Sequence, residues 1–150
     1  MAIDLDSNSF VALAAVAWAD GRMSRDEASG LLLAAKQAGL ADEALAQVEA
    51  ATKEEVAMDG FEADALDDWQ KAVTYALASW LARVDGVTNT EEHESLTDLG
   101  ARLGLPKDKL GAAASAAFDI SCLPGGHKPE KYDFEKLVEK LREKLPSIAR

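Results

Sequence analysis

The sequence predicts an all-α fold, and three observations carry that expectation. Apolar residues recur at intervals of three and four along most of the chain, and alternating period-2 runs are absent. Glycines follow the periodic stretches at Gly21, Gly39, Gly86 and Gly104, where a left-handed residue commonly ends a helix. The pattern also repeats. A gapless shift of 65 residues lays Asp20 on Asp85, Gly21 on Gly86, Glu27 on Glu92, Leu31 on Leu96, Gly39-Leu40 on Gly104-Leu105 and Leu45 on Leu110. The expected molecule is a single domain over residues 1–150 with about seven helices. Two pseudo-repeated three-helix units, about 10–51 and 75–116, surround a long fourth helix, and a loop with an added C-terminal helix fills 121–150. Neither unit has enough apolar face to stand alone.

Each element has its own signal. The first helix runs from about Asn8 to Asp20, with Phe10, Leu13, Ala14 and Ala17 at helical spacing, and Gly21 ends it. Ser24 is an N-cap, and Glu27 three positions later completes a capping box for the second helix, which carries Leu31 to Leu33 and stops at Gly39. A third helix covers about Asp42 to Ala51, with Leu45 and Val48 on one face. The acidic hinge Thr52 to Asp68 is broken by Gly60. The long helix then spans roughly Ala63 to Asp85, with a stripe of Leu66, Trp69, Val73, Leu77, Trp80 and Val84. A fifth helix runs from about Thr90 to Leu103, where Asn89 takes the capping place of Ser24. The alanine-rich sixth follows Pro106 and ends near Phe118, and Ser121 to Lys131 is a loop. The last helix starts at about Asp133 and aligns Phe134, Leu137, Val138, Leu141 and Leu145.

Composition narrows the function classes. With 48% hydrophobic residues the chain is not disordered by default, and no stretch approaches the length of a membrane span. The N-terminus has neither a basic region nor an apolar signal core, and Cys122 is the one cysteine, so a reducing cytoplasm is the expected location. The net charge of −11 is uneven: residues 121–150 hold seven Lys/Arg against five Asp/Glu, leaving nine against twenty-two, a net of −13, in residues 1–120. Such a surface repels phosphate backbones, disfavouring nucleic acid, and attracts cations and basic protein partners. Solubility alone is the simpler use of that charge.

The doubled element reads Asp-Gly, five residues, then Glu, bridging two helices. The segments "AWADGRMSRDEASGLLL" and "ARVDGVTNTEEHESLTDLGARLGLP" resemble the two signature segments of the TerB-like tellurite-resistance family, over roughly Phe10 to Ala117. The resemblance implies an all-helical bacterial cytoplasmic protein associated with tellurite resistance or wider stress responses. It also implies metal binding at Asp20, Glu27, Asp85 and Glu92, which match the family's acidic positions. The tail from Ser121 onward has no counterpart in that pattern.

Two readings of the four acids remain open from the residues themselves. Carboxylate oxygens are the ligands that calcium and magnesium prefer, and two related Asp/Glu pairs converge if both loops lie at one end. A cation would also explain an aspartate set against the negative end of a helix. Alternatively, Glu27 and Glu92 complete capping boxes while Asp20 and Asp85 cap the next helix. The spacing is not that of an EF-hand. His93 and His127 with Cys122 fall short of a zinc set, and Trp18, Trp69 and Trp80 are expected in the core. No nucleophile elbow, P-loop or dinucleotide fingerprint is present. The expected function is therefore a non-catalytic stress protein that binds a divalent cation or a partner. The alternative is a metal-dependent hydrolase using the same carboxylates. The sequence leaves the oligomeric state open.

Overall fold

The computed structural model describes residues 7–18, 25–40, 42–55, 66–81, 90–121 and 134–148. They form seven α-helices: α1 (Ser7–Ala17), α2 (Arg25–Gln37), α3 (Asp42–Ala51), α4 (Asp68–Leu81), α5 (Thr90–Leu103), α6 (Lys107–Ser121) and α7 (Phe134–Lys144). There is no strand among the described residues. The all-α expectation is met.

The duplication is visible in the helix register. The starts of α2 and α5 lie 65 residues apart, as do those of α3 and α6. Gly39 and Gly104 both adopt left-handed backbone, with φ of 89° and 73°. After α2 the chain closes a Schellman motif: Gly39 N–H donates to the Lys36 carbonyl at 3.0 Å and Leu40 N–H to the Ala35 carbonyl at 3.1 Å. After α5 the simpler cap is used, with Gly104 N–H donating to the Gly100 carbonyl at 3.2 Å.

Within the first half α1 packs on α2 and α3, and within the second α4 packs on α5 and α6. The halves meet through α1 against α4, α1 against α5 and α2 against α4. These are the contacts that a twofold exchanging α1 with α4 and α2 with α5 generates. The core lies along this seam, with Phe10, Leu13, Leu31, Leu77, Trp80 and Leu99 almost fully enclosed. Trp69 is also buried, and Trp18 packs half-buried on the core while its Nε1–H donates to the Ala51 carbonyl at 2.8 Å, closing the end of α3.

Three boundaries differ from those expected of the sequence. The first helix ends at Ala17, not near Asp20, which itself lies outside the described residues. The fourth helix starts at Asp68, not near Ala63, because Asp67 and Gln70 form a reciprocal capping box. Gln70 N–H donates to Asp67 Oδ1 at 2.8 Å, and Asp67 N–H donates to Gln70 Oε1 at 3.1 Å. The expected end at Asp85 lies outside the described residues. In addition, α6 continues to Ser121, beyond Phe118, because Ile120 finds a buried place.

That extension creates the seat for α7. The last helix packs on α6 and α4, burying Leu137, Val138, Leu141 and Leu145, while Lys144 Nζ reaches Asp119 Oδ2 at 3.3 Å. The docking stripe is as expected, except that the Phe134 side chain lies outside the described residues. Among the described residues the first half offers no equivalent seat. Ala117 and Ile120 are buried on α6, but their counterparts under the 65-residue shift are Thr52 and the exposed Glu55, past the end of α3.

Candidate functional site

Each Asp-Gly segment leads from an apolar helix into an amphipathic one. α2 starts at Arg25, which makes Glu27 its third helical residue. α5 starts at Thr90, which gives Glu92 the same place in its helix, while Ser24 and Asn89, the expected N-caps, lie outside the described residues. The two acids are therefore in equivalent register at two helix N-termini, where free backbone N–H groups and the positive end of the dipole favour negative charge.

Glu27 is 3% exposed. A carboxylate taken out of water needs hydrogen bonds or an opposite charge to offset its lost solvation. Asp20, Asp85 and the Glu92 side chain lie outside the described residues, so Glu27 is the one of the four expected ligands whose side chain is placed. Among the described residues no three His, Cys, Asp or Glu side chains form a group able to hold a metal ion. His93, next to Glu92, is exposed, and Cys122 and His127 lie outside the described residues. In the acidic run, Glu54, Glu55 and Asp68 are solvent-exposed, while residues 56–65 lie outside the described residues.

Other polar features lie on α1 and α4. A surface recess of about 420 Å³ opens at the start of α4, lined by Asp67, Asp68, Trp69 and Ile148. Asp67 is already engaged as the α4 cap, and Trp69 is buried. Apolar periodicity does not reveal this cap, although the Asp-x-x-Gln spacing of "DDWQ" carries it. Nor does it reveal a matched pair of buried hydroxyls. Thr74 donates to the Gln70 carbonyl at 2.7 Å, whereas its counterpart Ser9 is equally buried and its hydroxyl makes no hydrogen bond among the described residues. Tyr75 lies half-buried on α4, and burial raises its phenol above the ordinary 10.0. Among the described residues no helix is long and apolar enough to cross a membrane.

No protein-family model, curated protein or solved structure matches this chain.

Proposed function

We propose that this chain is a non-catalytic, TerB-like stress protein of the cytoplasm that binds a divalent cation, calcium or magnesium, through Asp20, Glu27, Asp85 and Glu92. The observation that carries the reading is the equivalent register of Glu27 and Glu92 at the starts of α2 and α5, within the 120 residues that hold a net charge of −13. A cation bound by both loops would offset the repulsion among the four acids. The matched register of Glu27 and Glu92 supports treating the two loops as one device. The acidic surface favours a basic protein partner and disfavours nucleic acid. The proposal is for binding without turnover, because the sequence holds no nucleophile elbow or phosphate-binding motif.

The test is calorimetric titration of the metal-free full-length protein with calcium, magnesium, manganese and zinc, repeated on Asp20→Ala/Asp85→Ala and on Glu27→Gln. Binding heat for calcium or magnesium is expected in the wild type and is lost in the double variant. At a hundredfold excess over Kd, linkage adds about 2.7 kcal/mol of stability, which is roughly 5–10 °C in Tm for a domain of this size. Melting curves that coincide with chelator and with every metal refute the proposal, and the four acids are then helix caps.

A further inference from the structure

The contact between the two halves has the form of a twofold interface closed inside one chain: α1 meets α4, and α1–α5 mirrors α4–α2. At one place a close fit breaks the symmetry. The Trp80 indole of α4, 1% exposed, lies against the backbone of Gly30 in α2, where an added Cβ would stand 2.9 Å from Trp80 Cη2. Leu13, Leu31, Ala34, Leu77 and Leu81 enclose the same contact. Under the 65-residue shift, Trp80 corresponds to Ala15 and Gly30 to Ser95.

The consequence is a surface with a defined mate. Two first halves paired together would set Ala15 against Gly30 and leave the volume of an indole empty. Two second halves would set the Ser95 side chain against Trp80, where even a methyl group does not fit. Only a first half with a second half satisfies both positions. That mate is present in the same chain, and it is equally present in every other copy of the chain. The connection between α3 and α4 is the sixteen residues 52–67, which reach about 55 Å when extended. This is long enough for the halves of one chain to part without straining either.

We propose that this surface also takes the matching half of a second copy, giving a closed dimer in which two chains exchange halves through the α1–α2 and α4–α5 faces. Pairing within the chain has an effective concentration on the order of millimolar, so the monomer dominates in dilute solution. Exchange is expected when the chains fold together at comparable concentration. The inference uses none of the four acids, so it stands or falls independently of cation binding.

Two full-length variants test it by complementation. Gly30→Val overfills the contact and Trp80→Ala empties it. In an exchanged heterodimer one contact is the native Gly30–Trp80 pair. The other brings the overfilled position of one chain opposite the emptied position of its partner, so the added volume meets the space opened for it. Equimolar variants, one carrying a size tag, are unfolded in denaturant, mixed and refolded at about 1 mM, the effective concentration given above. Light scattering after size exclusion is expected to show at least about tenfold more heterodimer than homodimer of either variant, the least gain expected when an overpacked and an underpacked contact are both relieved. Wild type refolded at that concentration is expected to give more dimer than wild type refolded a thousandfold more dilute. A mixture that equals the sum of its separately refolded parts, or that precipitates without heterodimer, overturns the proposal whether or not the single variants fold. Wild type that stays monomeric at both concentrations overturns it as well.

Discussion

Replacing glycine by alanine at three helical positions tests how far packing overrides local preference. Gly30, Gly100 and Gly111 lie inside α2, α5 and α6, so each substitution brings the same intrinsic helix gain, about 1 kcal/mol. The surroundings then decide the sign. At Gly111 nothing lies within 4 Å of the new Cβ, so the full gain is expected and Tm rises by roughly 2–4 °C. At Gly100 the nearest atom is a Leu110 methyl at 3.1 Å, on a half-buried side chain that can shift. There the gain and the overlap nearly cancel. At Gly30 the Cβ meets two atoms of the Trp80 ring at 2.9 and 3.0 Å and a Leu81 methyl at 3.3 Å. An enclosed indole cannot move aside without displacing its neighbours, and overpacking of this kind costs about 1–3 kcal/mol. Gly30→Ala is therefore expected to be net destabilising by about 1 kcal/mol despite its better helix propensity. Urea unfolding followed by far-UV circular dichroism measures all three. If Gly30→Ala stabilises as much as Gly111→Ala, the close α2–α4 approach described above is wrong.

Two further perturbations address α7 and the half-buried phenol. Leu141→Ala removes a fully enclosed side chain from the α6–α7 contact and is expected to cost about 2–5 kcal/mol. Glu139→Ala, exposed on the same helix, stays within about 0.5 kcal/mol, and equal effects for the two in urea melts would mean that α7 is not docked. Burial holds the Tyr75 phenol in its neutral form, so the unfolded chain releases this proton first. The associated stability is fully present below the unfolded value, about 10, and is lost as pH rises through the higher folded value. Tyr75→Phe should remove that alkaline loss, and wild-type and variant stability curves that run parallel above about pH 10 exclude the effect.

Much of the architecture is legible because it is written locally. Gly39 and Gly104 end helices through their own φ preference, and α2 and α5 start at Arg25 and Thr90, where the sequence sets them. The stripe Leu137, Val138, Leu141 and Leu145 predicts a docked last helix because helical periodicity depends only on spacing. The same logic places the start of α4 once the Asp67–Gln70 box is ranked above the apolar stripe, which continues upstream to Leu66. The four acids are legible as a doubled motif, and the register of Glu27 and Glu92 follows from the starts of α2 and α5.

The sequence by itself determined the helices, their order and the duplication, since caps, periodicity and a 65-residue offset act through neighbours along the chain. Tertiary structure alone decided what the differences between the copies do. Nothing local says that Gly30 and Trp80 belong together until α2 and α4 are brought into contact and one ring has room only over one glycine. Nothing local says that α7 seats on α6 and not on α3, until Ile120 is buried where Glu55 is exposed. Nor does the spacing of a capping box say that Glu27 is shut away from water. Burial is a property of what the other helices cover, and that is set by how all seven pack together.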